Sequence, residues 1–90
     1  MRVVWDAKKA AANIRHHGIE FSHGATVLDD PMVVTIEDSL HGEQRFVIVG
    51  ADIIGRILVV VYAYSGEEEI RLISARKATL KERRVYEQKE

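Results

Sequence analysis

The feature that constrains the fold most is a series of β-branched and apolar runs in the centre of the chain, separated by short turns. The turns fall at residues 39–42, 50–55 and 65–66. Short turns join antiparallel neighbours, because parallel neighbours need a crossover of a dozen or more residues. We therefore predict an antiparallel β-meander. Its strands are residues 32–36, 44–49, 56–64 and 69–75, and residues 3–5 form a separate short strand.

Helical patterns lie on either side of this central region. Asp6 is a suitable N-cap for a first helix, and Gly18 suits its C-terminal end because glycine tolerates positive φ. A second short helix is predicted over residues 22–28. Thr79-x-x-Glu82 is a capping box that begins the last helix. The order β-α-α-β-β-β-β-α predicts an α+β fold with the helices packed on one side of the sheet.

Length and composition limit the classes of protein that this chain can belong to. Ninety residues predict a single domain over 1–90. The absence of cysteine excludes disulfides, zinc ribbons and thiol nucleophiles. Residues 1–6 lack the apolar segment of a signal peptide, and the longest apolar run, residues 57–63, is too short to span a bilayer. We therefore predict a cytoplasmic protein without membrane contact.

The net charge is −1, so any affinity for nucleic acid must come from a local patch. Residues 71–84 contain six basic residues and one acid, Glu82. Such a stretch can bind phosphates, since arginine donates two parallel hydrogen bonds to them. It can also be a solvated helix face whose cations pair with Glu82 and Glu87. Charge alone leaves both interpretations open.

The first helix shows an apolar face and a polar face. The apolar face, predicted to be buried, comprises Ala7, Ala10, Ala11 and Ile14. The polar face comprises Lys9, Asn13, His16 and His17, with Lys8 alongside. Histidine can move protons near neutral pH and lysine can hold phosphate, although an ordinary solvated surface explains the pattern equally. The histidines show no metal-binding spacing, so we predict no metal site.

Several segments, in order along nearly the whole chain, form a recognisable set of motifs. The most specific are Ile70-Arg71-Leu72-Ile73-Ser74-Ala75-Arg76-Lys77-Ala78-Thr79 and the closing Glu82-Arg83-Arg84-x-Tyr86-Glu87. Others are Trp5-Asp6, Lys8…Asn13…His17-Gly18-Ile19-x-Phe21, residues 25–31, Gly42-Glu43-x-Arg45-Phe46 and residues 55–61. Together these segments resemble the BrnT family of toxins.

The resemblance implies a toxin of a type II toxin–antitoxin system. Such a protein is expected to have a RelE-like fold and to be an endoribonuclease, a hydrolase that cleaves RNA without metal or cofactor and inhibits translation and growth. Its partner would be a BrnA-like antitoxin, which binds operator DNA and masks the toxin in a hetero-oligomer. The toxin would reach DNA only through that antitoxin.

Cleavage of RNA requires a base for the ribose 2′-OH, cations for the phosphorane and an acid for the leaving 5′ oxygen. The resemblance makes Arg71 and Arg76 the expected phosphate and transition-state groups, with Lys8 assisting. His17 or Tyr86 would handle protons, although a free phenol has a pKa of about 10. The expected RNA contacts are Lys77, Lys81, Arg83, Arg84 and Asn13.

Two other functions are compatible with the sequence. A catalytically silent module could bind a DNA-binding partner through the basic last helix. Direct DNA binding is a weaker alternative, since no helix-turn-helix pattern is present.

Overall fold

The computed structural model describes residues 1–38 and 44–88, and within them the predicted order of elements is confirmed. The predicted turn at residues 39–42 lies outside the described residues. Residues 22–28, predicted as one helix, divide between a short α-helix and a 3-10 turn over Thr26–Asp29. The elements are β1 Arg2–Val4, α1 Ala7–His17, α2 Phe21–Ala25, β2 Val34–Asp38, β3 Arg45–Ala51, β4 Ile57–Gly66, β5 Glu69–Lys77 and α3 Leu80–Glu87.

The sheet has five strands in the order β1-β5-β4-β3-β2. Strands β2 to β5 form the predicted antiparallel meander, but β1 runs parallel to β5, with Val3 opposite Ile70. The prediction of a purely antiparallel sheet was therefore wrong. The pairing of β1 with the last strand depends on a contact between distant parts of the chain, which turn lengths between neighbouring strands do not reveal.

The main core lies between the sheet and the α1–α2 segment. Ile19, Phe21 and Val27 pack against side chains from the three central strands. The strand residues in this cluster are Ile48, Leu58, Val60, Ile70, Leu72 and Ala75. We call this side of the sheet the core face. It fixes the position of β5, since both α1 and α2 contact that strand.

The inward side of α1 differs from the prediction. Asn13 is buried and Ala10 is partly buried, whereas Ile14 is 48% exposed and Ala7 and Ala11 face solvent. The helix is therefore rotated from the orientation that its apolar residues suggest. It is held against β5 by polar contacts of Asn13 as well as by apolar packing.

Local capping signals were read correctly from the sequence. The Asp6 carboxylate accepts the Lys9 backbone N–H at 2.9 Å, and Gly18 ends α1 with φ 71°. Thr79 and Glu82 form the predicted capping box at the start of α3. These interactions involve residues three to four positions apart, so they do not depend on the rest of the fold.

The third helix packs on the side of the sheet opposite the core face. An added Cβ on Gly24 of α2 would lie 3.0 Å from the Cβ of Ala75, so Ala75 points to the core face. The next side chain, Arg76, points the other way. Arg76 binds Glu82 of α3, and α3 also contacts β3. The prediction that the helices pack on one side therefore holds for α1 and α2 but not for α3.

None of the helices in the described ranges, 1–38 and 44–88, is long and apolar enough to cross a membrane.

Candidate functional site

A β-bulge in β5 places Arg71 and Arg76 on the same face of the sheet. Residues five positions apart in a regular strand point to opposite faces. Here Tyr62 of β4 pairs with Leu72 and Val61 pairs with Ser74, so Ile73 is bulged out of the ladder. The extra residue reverses the alternation. Arg71 and Arg76 therefore share the face opposite the core face, which we call the arginine face.

The residues that pair with the two arginines on the neighbouring strands are apolar. Arg71 lies opposite Val4 of β1 and Ala63 of β4, while Arg76 lies opposite Val59. Val59 and Ala63 are almost fully buried, and Arg71 and Arg76 are themselves partly exposed. The sheet thus presents two guanidinium groups on a floor of short aliphatic side chains.

Arg76 is bound by a carboxylate on the last helix. Its Nη1 and Nη2 atoms donate to the two carboxylate oxygens of Glu82 at 2.8 and 2.9 Å. The hydrogen bond from Arg76 lowers the pKa of Glu82 to about 2, and Glu82 in turn raises the pKa of Arg76. Glu82 also caps α3, accepting the Thr79 backbone N–H at 2.8 Å. A phosphate that binds Arg76 must therefore compete with Glu82.

Exposed cations continue from the end of β5 into α3. All four of the predicted RNA contacts in this segment are exposed: Lys77, Lys81, Arg83 and Arg84. Arg83 pairs with Glu87 at 3.3 Å, an exposed contact of the kind that contributes little stability. The structure therefore leaves these side chains accessible on the segment that carries Arg76 and its partner Glu82.

Tyr86 fastens α3 to the loop before β2 and, through that loop, to the end of β3. Its hydroxyl donates to Oδ2 of Asp30 at 2.6 Å, and the same oxygen accepts the Ala51 backbone N–H at 2.8 Å. Gly50 permits this approach, since an added Cβ would lie 3.0 Å from Asp30 Oδ2. The hydrogen bond to Asp30 raises the pKa of Tyr86 to about 12. The phenol therefore holds its proton at neutral pH, and its predicted role in proton transfer stays a prediction.

Asn13, predicted to contact RNA, is instead a buried structural residue. Its Nδ2 donates to the carbonyl oxygens of Ile19 and Ala75 at 2.9 and 2.7 Å, and its Oδ1 accepts the Ala75 N–H at 3.1 Å. The side chain therefore satisfies backbone groups that the bulged strand and the helix end leave unpaired. Contact between Asn13 and RNA stays a prediction, and in this structure the amide binds backbone groups instead of facing solvent.

Lys8 and His17 lie near opposite ends of α1. Nine residues separate them, which is about 14 Å along a helix axis. Both are exposed, and α1 covers the core face of β5. The sheet therefore separates the helix that carries them from the arginine face. Their predicted catalytic roles stay predictions.

One polar cluster gave no functional signal in the sequence. Asp52, whose side chain is fully buried, accepts the backbone N–H of Arg56 and its Nε, each at 2.8 Å. Burial raises the pKa of Asp52, but the hydrogen bonds from Arg56 outweigh this effect and lower it overall. Nη2 of Arg56 lies 3.3 Å from Nδ1 of His23. The β3–β4 turn is thereby tied to α2.

Within residues 1–38 and 44–88, no three histidine or acidic side chains come together in a way that could hold a metal ion. His41 lies outside this part of the chain.

Comparisons with known proteins define the class as a toxin of a type II toxin–antitoxin system. A family model described as "Ribonuclease toxin, BrnT, of type II toxin-antitoxin system" matches residues 5–82. The chain belongs to the BrnT toxin family. It is also similar to the crystal structure of the Brucella abortus ribonuclease toxin BrnT, with a TM-score of 0.66 and 26% identity, over 88% of this chain and 97% of that one. A search of curated protein sequences gave no match.

Proposed function

We propose that this toxin is an endoribonuclease whose site is the arginine face, and that it cleaves RNA without a metal ion. The observation that supports this site best is the bulge at Ile73, which puts Arg71 and Arg76 on the face of the sheet where α3 packs. A bulge of this kind commonly re-aims a side chain near an active site. The family description supports ribonuclease activity in general.

The reaction is a transfer within the RNA strand. The 2′ oxygen forms a bond to the adjacent phosphorus as it loses its proton to solvent water. The bond from phosphorus to the 5′ oxygen breaks as that oxygen takes a proton from water. The negative charge that develops on the phosphorane is stabilised by Arg71 and Arg76. Removing one fixed donor of this kind from an oxyanion site lowers the rate by about 100- to 1,000-fold.

The other groups have supporting roles in this proposal. Lys81 and Arg84 contact the flanking strand, and binding of RNA replaces the contact between Arg76 and Glu82. Tyr86 positions α3 and does not carry protons. Lys8 and His17 belong to a helix on the core face and are not part of the proposed site.

The cellular role follows the family resemblance. The toxin would act in the cytoplasm, inhibit translation and growth, and be neutralised by a BrnA-like antitoxin that carries the complex to operator DNA. The RelE-like description of the fold rests on that same resemblance. A mixed sheet covered by helices on both faces is compatible with it.

The test is expression of the chain without antitoxin, with growth and RNA decay as readouts. Wild type should arrest growth, and the double variant Arg71→Ala/Arg76→Ala should not. Arg15→Ala is the matched control, since Arg15 is an exposed arginine on α1. Purified wild type should cleave RNA equally with and without a chelator. Equal arrest by wild type and the double variant would overturn the proposed site, and loss of cleavage with chelator would overturn metal independence.

A catalytically silent binding module is the second candidate, favoured by one observation. Arg76 is already bound by Glu82 at both terminal nitrogens, as expected of a structural ion pair. Purified protein that binds its antitoxin but cleaves no RNA, with Glu82→Gln also inactive, would establish this function in place of the first.

A further inference from the structure

A small cavity at the end of the sheet is surrounded by cations. It has a volume of about 230 Å³ and lies where the β3–β4 turn meets the junction of β5 and α3. The Ala78 N–H donates to the Ile57 carbonyl at 3.0 Å and holds these two segments together. The lining residues are Gly55, Arg56, Ile57, Lys77, Ala78 and Arg83. Three of the six are basic, and among these described lining residues none is acidic.

Arg56 is held in a fixed orientation at this cavity. Its Nε donates to the buried Asp52 carboxylate at 2.8 Å, and its Nη2 lies 3.3 Å from His23 Nδ1. Its side chain is 28% exposed. Within the described part of the chain, Nη1 of Arg56 makes no hydrogen bond. A preorganised guanidinium with an open donor loses little conformational freedom when it binds an anion.

Lys77 and Arg83 add mobile donors to this fixed one. Lys77 is exposed, and Arg83 is committed only to its exposed contact with Glu87. An anion in the cavity can therefore accept from three side chains. Lys77 and Arg83 lose little interaction free energy when they bind it, because the exposed ion pair of Arg83 with Glu87 contributes little stability and Lys77 is solvated.

The cavity borders the proposed cleavage site, because Lys77 of its lining follows Arg76 in sequence. Arg76 Nη1 donates to the Lys77 carbonyl at 3.3 Å, so the Arg76 guanidinium is next to the backbone that borders the cavity. Glu82, the partner of Arg76, is adjacent in sequence to Arg83. A single strand whose scissile phosphate lies at Arg76 thus has a neighbouring phosphate within reach of this cavity.

We propose that the cavity formed by Arg56, Lys77 and Arg83 is a second phosphate subsite, which binds a backbone phosphodiester of the RNA next to the scissile one. The proposal rests on the ribonuclease function above. Arg56 is its new element, since neither its position before β4 nor the family resemblance marked it as an RNA contact. The subsite fixes the register of the strand and carries no catalytic step.

The test is binding of a single-stranded RNA oligonucleotide made uncleavable by 2′-O-methyl groups, measured by fluorescence anisotropy at several salt concentrations. The variant is Lys77→Gln/Arg83→Gln, and the matched control is Arg15→Gln. Arg56 is left intact because its removal would strand the buried Asp52 carboxylate. Thermal unfolding should be the same for all three proteins, since the substituted side chains are exposed.

The double variant should bind about 10-fold or more weakly at low salt. The slope of log K against log salt should become shallower by about 0.7, the value for one phosphate of a single strand. Arg15→Gln should match wild type. Unchanged affinity and slope in the double variant would overturn the subsite. Weaker binding of an oligoglutamate peptide, with RNA binding unchanged, would also overturn it and assign the cavity to protein carboxylates.

The outcomes separate this proposal from the one it rests on. If wild type shows the predicted binding and cleaves no RNA, the subsite is supported and the ribonuclease function fails. If Arg71→Ala/Arg76→Ala abolishes cleavage while Lys77→Gln/Arg83→Gln binds RNA as wild type does, the function is supported and the subsite fails.

Discussion

The two faces of the sheet are built in different ways. The core face is covered by α1 and α2, and its cluster of nine almost fully buried apolar residues accounts for most of the hydrophobic core. The arginine face is covered by α3, a helix with no buried residue in its described part, which is fastened by the Arg76–Glu82 and Tyr86–Asp30 contacts. One face therefore holds the fold together. The other presents charged groups that the core does not require, as a binding site demands.

The largest expected effect on stability is at the core face. Asn13→Ala removes three buried hydrogen bonds and leaves the Ala75 N–H and two carbonyls unpaired. We expect a loss of about 3 kcal/mol in the free energy of unfolding, measured with urea. The neighbouring Ile14→Ala, at a position 48% exposed, should cost less than about 1 kcal/mol. A similar cost for the two variants would contradict the structural role of Asn13.

A smaller effect is expected where Tyr86 fastens α3. Tyr86→Phe removes the hydrogen bond to Asp30 and should cost about 1 kcal/mol. Since the fold raises the pKa of this phenol from 10 to about 12, its contribution to stability is present below pH 10 and is lost between pH 10 and 12. The unfolding free energy of Tyr86→Phe should therefore not show this decrease between pH 10 and 12. RNA cleavage by Tyr86→Phe should stay within about 3-fold of wild type, and a 100-fold fall would restore Tyr86 as a proton carrier.

The smallest expected effect on stability is at the partly exposed pair of Arg76 and Glu82. Glu82→Gln should cost about 0.5 kcal/mol at neutral pH, because the pair is partly screened by solvent. The folded pKa of Glu82 is about 2 and its usual value is 4.5, so the contribution is present above pH 4.5 and is lost as the pH falls toward 2. The unfolding free energy of Glu82→Gln should therefore not show this decrease between pH 4.5 and 2. Its affinity for RNA should rise, since Arg76 no longer has a competing carboxylate. Weaker RNA binding would argue against Arg76 as a phosphate ligand.

Helix ends could be predicted from the sequence, whereas the features that shape the two faces of the sheet could not. The caps at Asp6, Gly18 and Thr79 depend on neighbouring residues and were predictable. The bulge at Ile73 depends on how β5 pairs with β4, and the inward turn of Asn13 depends on unpaired backbone groups in β5. The bulge is a register shift between neighbouring strands, and the Asn13–Ala75 contact joins residues 62 positions apart. Periodicity along one segment encodes neither of them. The resemblance indicated Arg71 and Arg76, but only the bulge places them on the same face of the sheet.

Single-turnover cleavage of one RNA by two double variants tests the central claim most directly. Arg71→Ala/Arg76→Ala alters the arginine face, and Lys8→Gln/His17→Gln alters two exposed residues of α1. We expect the first to slow cleavage by at least about 100-fold and the second to stay within about 3-fold of wild type. The reverse result, a large loss at Lys8 and His17 with little change at the arginines, would contradict the account and move the site to the α1 side of the sheet.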